Sequence, residues 1–326
     1  MRYAGAESSQ CIGAGVTVIG LDIGGTKCAV AIAGDDGVPR EIARIPTGSP
    51  GPTLDALFAA IDQCNPGNSP VFGVSCGSPL DAATGVILSP PNLPGWDAVP
   101  IVSQVVERFG GEAHLMNDAN AGALAEWMRG AARGCRDIVF LTFGTGMGAG
   151  LILGGRLYEG ASGDAGEVGH MRLAERGPVG YGKAGSFEGL CSGGGIAQLA
   201  QQAARERDGR VAFNPGSIDG ITAQHVARAA ERGDELAAQL LADAGESLGR
   251  GLAVIVDVLN PEVIVLGSIY VRSRKFIEPA MQRALEEEAL PQSLRACRIV
   301  PAALGEEIGN YAAIAVARYR RGEFGA

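Results

Sequence analysis

Two distant stretches of this chain are built to one plan, and a chain that repeats a plan of this kind folds as two related halves. In the first, Val16–Asp22 is a β-branched apolar run that reads as a buried strand. Gly24-Gly25-Thr26-Lys27 is a tight turn and Cys28 to Ala33 a second apolar run, so the segment predicts a hairpin. In the second, Asp137 to Leu141 is the strand, Thr142 to Gly150 the Gly/Thr link, and Leu151 to Leu153 the return. Glycines in such turns let the backbone approach a ligand and leave N–H groups for phosphate oxygens. One Gly-Gly hairpin is as readily an ordinary turn. Two equivalent ones in two halves predict duplicated α/β domains facing each other across a cleft.

Between the hairpins lies His114-Leu-Met-Asn-Asp-Ala-Asn120, which begins as the end of an apolar strand and finishes as the start of a helix. Asn117 and Asp118 sit at the junction. Ala121, Leu124, Ala125 and Met128 recur at helical spacing, Arg129 and Arg133 fall in the last turns, and Gly134 is the predicted stop. At the carboxyl end of a strand in an α/β sheet, a carboxylate beside an amide faces the ligand crevice. Taken alone, either residue is more simply a helix N-cap; the flanking hairpins favour a site. A carboxylate at a helix N-terminus is expected to have its pKa held low.

Other segments frame this junction. Thr53 to Ile61 predicts an amphipathic helix capped by Thr53, and Val71–Cys76 a buried strand ending at Gly77. Ser89 to Trp96 holds three prolines and a glycine in eight residues, which excludes helix and central strand. It is a rigid loop that either positions Asn92 or serves as a connector. A helix from Asp97 to Phe109 follows. Ser192 is a candidate cap for an Ala/Gln helix, and Glu235 to Leu259 predicts a long helix whose Gly249 and Gly251 allow close packing. Gly305 to Tyr319 reads as the last helix.

A chain of 326 residues suggests about two domains and buries a large core without staples. A net charge of −9 argues against a nucleic-acid partner. It leaves room for a nucleotide, because backbone amides bind phosphate without side-chain charge. Glycine, at 50 residues, is about twice its usual share and clusters beside strands. Seven scattered cysteines with no C-x-x-C pair predict reduced thiols in a cytoplasmic protein. No apolar run is long enough to span a membrane, and no cationic leader is present. Residues 1–15 are small and polar and are expected to be disordered.

Five motifs in order resemble the ROK sugar kinases, of the actin-like and hexokinase ATPase superfamily. They are Asp22-Ile-Gly-Gly-Thr-Lys27, Pro91-Asn-Leu-Pro-Gly-Trp96, Asn117-Asp-Ala-Asn120, Gly144-Thr-Gly-Met-Gly148 and Gly166-Glu-Val-Gly-His170. The resemblance implies an α/β fold of duplicated actin-like (ribonuclease H-like) ATPase domains with a central cleft. A small N-terminal domain would take residues 16–117 plus 305–326, and a large C-terminal domain 118–304. It implies Asp118 as the general base toward a sugar hydroxyl, with Gly77, Asn92, Asn117, Glu167, His170 and Glu188 holding the sugar. ATP would lie on Asp22, Gly24, Gly25, Thr26, Lys27, Thr145, Gly146 and Gly148, with Val263 to Ser268, notably Gly267 and Ser268, beside the adenosine. Mg2+ would be held by Asp22, through water. A homodimer is implied as well.

The chemistry suits a sugar. A ring of hydroxyls calls for Asn, Glu and His, and burying them demands near-complete pairing. Phosphoryl transfer relies on positioning and charge stabilisation, so even a weak base suffices. One departure stands out. Relatives commonly carry a cysteine-rich zinc loop between the motif histidine and the following glutamate. Between His170 and Glu188 this chain has no cysteine, and Cys191 stands alone beyond. Zinc needs about four N/S ligands, so no zinc site is predicted. His170 is then left to the sugar or to the core, and the replacement loop brings in Tyr181 and Lys183.

The function implied is an ATP-dependent hexose kinase acting at position 6, with glucose favoured. The alternatives are an N-acetylmannosamine, N-acetylglucosamine, allose or fructose kinase, or a non-catalytic sugar-responsive regulator. Regulators of the family carry an N-terminal helix-turn-helix module, and about fifteen residues before the first strand are too few for one.

Overall fold

The structure, a computed structural model, describes residues 17–323. The stretch 1–15 expected to be disordered lies outside the described residues. The chain divides into two compact units, one of residues 17–117 with 309–323 and one of residues 118–308.

In the first unit, β1 (Val18–Ile23), β2 (Lys27–Ala33) and β3 (Arg40–Pro46) form an antiparallel meander. After α1 (Pro50–Gln63), β4 (Val71–Cys76) lies parallel to β1. The short pair β5 (Leu80–Asp81) and β6 (Val86–Ile87) and helix α2 (Ile101–Phe109) lead to β7 (Glu112–Asn117), parallel to β4. The sheet order is β3-β2-β1-β4-β7. Ile23 pairs with Cys76 and Cys76 with Asn117, so the carboxyl ends of the three parallel strands are level. Asp22, Gly77 and Asn117 therefore come to one edge of the sheet.

Every residue of β4 is buried because both sheet faces are covered. One face holds Leu21, Val30, Leu57, Ile61, Phe72 and Trp96. The other is covered by the C-terminal helix. There Gly20 and Gly73, neighbours in register, form a furrow without side chains. A Cβ at Gly20 would lie 2.8 Å from the Ala313 Cβ, and one at Gly73 would overlap the Ala313 carbonyl oxygen.

Two predicted starts shift. The first helix begins at Pro50 rather than at Thr53, since proline at the first positions presets the helical φ. Thr53 is buried within it, and its hydroxyl accepts from the Gly48 N–H at 3.0 Å. The helix predicted from Asp97 begins at Ile101, because Val99 is taken by a bridge to Ile87.

The second unit opens with α3 (Asp118–Arg129) and repeats the sheet plan. Strands β8 (Ile138–Phe143), β9 (Met147–Leu153) and β10 (Arg156–Leu157) are antiparallel. A small hairpin, β11 (Val179–Gly180) with β12 (Lys183–Ala184), precedes α4 (Phe187–Cys191), α5 (Gly193–Arg205), α6 (Ala223–Glu231) and α7 (Glu235–Leu259). Then β13 (Val263–Leu266) lies parallel to β8. After α8 (Ile269–Glu288) and α9 (Pro291–Ala296), β14 (Arg298–Pro301) lies parallel to β13. The order β10-β9-β8-β13-β14 matches the first sheet strand for strand. The chain ends in α10 (Ile308–Arg320), which completes the first unit.

The return strand starts at Met147 rather than Leu151, confining the turn to residues 144–146. Helix α3 ends at Arg129, leaving Arg133 and Gly134 beyond it. Glu126 sets that end. Fully buried, its carboxylate accepts from the Ala131 N–H at 2.7 Å and from the N–H groups of Ala303 and Leu304 at 3.0 Å each. The long helix α7 forms as predicted, with Asp234 accepting from the Ala237 N–H at 2.7 Å and Asn260 left-handed at its end. A Cβ at Gly249 would lie 2.8 Å from the Ala284 Cβ of α8. Ser192 caps α5 as predicted, accepting from the Gly195 N–H at 3.2 Å.

Candidate active site

The predicted residues gather in two clusters, one in each unit. In the first unit, Asp22 is half-buried near the end of β1. Its carboxylate faces the start of α10, where a Cβ at Gly309 would overlap it. The turn from Gly24 to Lys27 is closed by the Gly24 N–H donating to the Lys27 carbonyl at 3.1 Å. Thr47 braces it from β3's end: its N–H donates to the Thr26 carbonyl at 3.0 Å and its hydroxyl to the Gly24 carbonyl. Gly25, Thr26 and Lys27 are exposed. The proline-rich loop lies against this turn, for a Cβ at Gly25 would sit 2.5 Å from the Asn92 Cβ. Trp96 anchors the loop, wholly buried with its Nε1 donating to the Gly48 carbonyl at 2.9 Å. Asn92 remains exposed, so a fixed backbone presents a solvent-facing amide. Asn117, at the end of β7, donates from Nδ2 to the Ser78 hydroxyl at 2.8 Å, next to Gly77.

In the second unit, Asp118 is the first residue of α3. Its side chain is open to solvent by area, yet protein atoms crowd its carboxyl. That desolvation raises its pKa, outweighing the hydrogen bonds from the backbone N–H groups of Ala119 and Asp118. The expectation of a depressed pKa is thus overturned: the helix-end donors are present, and desolvation wins over them.

Glu167, also solvent-exposed, precedes a short 3-10 turn ending at His170. Desolvation raises its pKa first, then the like charges of Asp164, Glu188 and Asp118, while His170 opposes them. Glu167 is therefore within electrostatic reach of all four. Glu188, in the first turn of α4, accepts from the Met147 N–H at 2.9 Å. A Cβ at Gly146 would lie 2.8 Å from the same carboxylate. The turn 144–146 is braced by α5: the Gly193 N–H donates to the Gly144 carbonyl at 2.8 Å and the Gly194 N–H to the Thr145 carbonyl at 3.0 Å. Gly148 and Gly150 let β9 lie against Ala119 of α3, which sets Asp118 beside this hairpin. Gly267 is buried with its N–H on the Leu141 carbonyl at 3.0 Å, and Ser268 is exposed with φ 39° at the start of α8.

Thr47, Ser78, Thr142 and Asp164 went unrecognised in the sequence. Thr142, whose hydroxyl accepts from the Gly148 N–H at 3.0 Å, lay inside the Gly/Thr stretch and was open to notice. Thr47 and Ser78 act only through contacts made by folding. Between His170 and Glu188 the chain forms the β11–β12 hairpin. It is tied down by Lys183 Nζ donating to the His170 carbonyl at 2.6 Å and by Arg172 Nη1 donating to the Ala184 carbonyl at 2.9 Å. Among the described residues no group of three or more His, Cys, Asp or Glu is arranged to hold a metal. No helix among them is long and apolar enough to cross a membrane.

Comparison with known proteins agrees with these features. The chain is 27% identical over 311 residues to the glucokinase of Thermotoga maritima, covering 94% of this chain and 98% of that one. It is 34% identical over 257 residues to the N-acetylmannosamine kinase of Shigella flexneri, covering 77% and 82%. Its fold matches a ROK family glucokinase from Streptomyces griseus, solved in complex with glucose and AMPPNP. The TM-score is 0.75 at 29% identity, with 93% of this chain and 99% of that one covered. The two five-stranded sheets are those of the duplicated actin-like ATPase fold. The ROK family matches residues 18–320, nearly the whole described chain, and this protein belongs to the ROK family.

Proposed function

We propose that this ROK-family chain is an ATP-dependent sugar kinase that transfers the γ-phosphate of ATP to a hydroxyl of a hexose. Position 6 of glucose is the first reading. The likeness to an N-acetylmannosamine kinase favours that amino sugar as the second. The observation that carries the proposal is the Asp118 carboxylate, solvent-open with a raised pKa, at the N-terminus of α3 beside a glycine-rich hairpin.

In this reading the sugar oxygen attacks the γ-phosphorus as the bond to the β–γ bridging oxygen breaks. ADP leaves, and the hydroxyl proton passes to Asp118. A carboxylate with a raised pKa is a better acceptor than the low-pKa group anticipated. Asn92, Asn117, Glu167, His170 and Glu188 take the remaining hydroxyls. The turns at Gly24–Lys27 and Gly144–Gly146, in which Gly25, Thr26, Lys27 and Thr145 are exposed, offer N–H groups to phosphate from those exposed residues. Asp22 is the residue to hold Mg2+. A single carboxylate suits an ion that keeps several waters and takes its other ligands from phosphate. That ion, when bound, neutralises charge on the β- and γ-phosphates. The reading includes a cytoplasmic homodimer, and six free thiols among the described cysteines fit a reducing compartment.

Coupled ADP release over a panel of hexoses and N-acetylhexosamines tests the proposal. We expect one strong substrate. Asp118→Asn should lower kcat by roughly 100- to 10,000-fold, the range for loss of a general base, with sugar binding retained by calorimetry. Silence across the panel, or a mutant within about tenfold of wild type, would sink it.

A further inference from the structure

The glycine-rich hairpin between His170 and Glu188 carries at its tip a residue that the fold has no use for. Tyr181 adopts φ 43°, in the left-handed region that disfavours a bulky side chain. The same hairpin places glycine at 182 and 185, with φ 76° and 65°, so the two positions that follow with this geometry are both glycine. Tyr181 is also 71% exposed, so burial does not offset the backbone strain. Two successive positive φ values are those of a tight two-residue hairpin turn, which asks for glycine or asparagine and not for tyrosine; backbone strain of this kind clusters at active sites and ligand clamps.

The tip is held in place. Lys183 Nζ ties the outgoing strand to the His170 carbonyl at 2.6 Å. On the incoming strand, the Val179 N–H donates to Gln198 Oε1 at 2.9 Å, and Gln198 Nε2 returns a bond to the Val179 carbonyl at 2.8 Å. The Tyr181 ring stands beside the His170 imidazole, with centroids 6.4 Å apart and planes at 76°. His170 in turn acts on Glu167, which also feels the charges of Glu188 and Asp118. The ring thus borders the polar cluster proposed to grip a sugar. A hexose has a hydroxyl edge and an apolar C–H face. The cluster answers the first, and the electron-rich face of an aromatic ring answers the second.

We propose that Tyr181 is a specificity-determining residue, presenting its ring to the apolar face of the bound sugar or to the methyl of an N-acetyl substituent. This rests on the sugar-kinase reading of the same cluster. The test compares Tyr181→Gly and Tyr181→Phe with the wild type, using glucose and N-acetylmannosamine as probes. Y181G relieves the backbone strain, so its melting temperature should equal or exceed that of the wild type. We expect its KM for the preferred sugar to rise about 3- to 10-fold, the span of a single aromatic contact. The KM for ATP should stay within about twofold. Y181F should bring the sugar KM back toward the wild-type value. An unchanged sugar KM in Y181G overturns the proposal, as does a rise in both KM values with a lower melting temperature, which marks a structural role. If the wild type phosphorylates neither probe, calorimetric sugar affinity is the readout. Weaker binding by Y181G then upholds the Tyr181 assignment while the kinase reading fails. Equal affinity overturns the assignment, and no sugar binding by the wild type overturns both.

Discussion

Glu126 has a role in stability that substitution can measure. Its carboxylate is fully buried and bonds to three backbone N–H groups, those of Ala131, Ala303 and Leu304. Glu126→Ala strands all three. Each stranded buried donor costs about 1–3 kcal/mol, and the lost carboxylate returns part of that by removing a buried charge. The net is roughly 3–5 kcal/mol. Glu126→Gln keeps one acceptor oxygen, which serves Ala303 and Leu304 through the Oε1 position and turns an NH₂ toward the Ala131 N–H. One stranded donor implies about 1–3 kcal/mol. In a unit of about 190 residues each kcal/mol moves the melting temperature by about 2–4 °C. Calorimetry should therefore rank wild type above E126Q above E126A, with E126A roughly 6–20 °C down. A melting temperature for both variants within about 2 °C of wild type would refute the reasoning, and so would E126Q falling as far as E126A.

Two further outcomes follow from the packing and the charges. A Cβ at Gly73 would overlap the Ala313 carbonyl oxygen and lie 2.7 Å from the Ala317 nitrogen, both backbone atoms of α10. Gly73→Ala should lower stability by roughly 3 kcal/mol, read as a fall in the urea midpoint. Gly20→Ala, whose closest neighbour is a methyl at 2.8 Å, should lower it less. Asp118 holds its proton more tightly in the folded than in the unfolded chain. The stability this confers is full below the ordinary value of 3.8 and is lost as pH rises through the folded pKa. Asp118→Asn should therefore melt above wild type at neutral pH, with the gap closing at about pH 4 and below. A gap independent of pH would contradict the shift.

Much of this architecture was legible because it rests on local pattern. The apolar runs at Val71–Cys76 and Glu235–Leu259 gave their elements to the residue. The two Gly/Thr turns announced the duplication that the matching strand orders display. Illegible features depend on distant partners. Glu126 looks like an ordinary charged helix residue, and two of its three partners lie some 177 positions away. Helix α3 is buried nearly all round in its first half, so its apolar spacing did not reveal its environment. The raised pKa of Asp118 is hidden from the sequence for the same reason. The helix end was visible in the sequence, whereas the protein atoms that desolvate the carboxyl were not. The β11 and β12 strands are two residues each, too short for a period-2 signal.

The return of α10 to the first unit bears on how the protein is made. Residues 118–308 are synthesised after the β strands of the first unit and before the helix that covers their furrow. At about 5–20 residues per second, that interval lasts roughly 10–40 s. Throughout it, the face bearing Gly20 and Gly73 lacks its lid while the whole second unit is completed. A chain released just before residue 309 would thus carry every residue of the second unit and an incomplete first one. Loss of the last helix strikes the half of the molecule farthest from it in sequence.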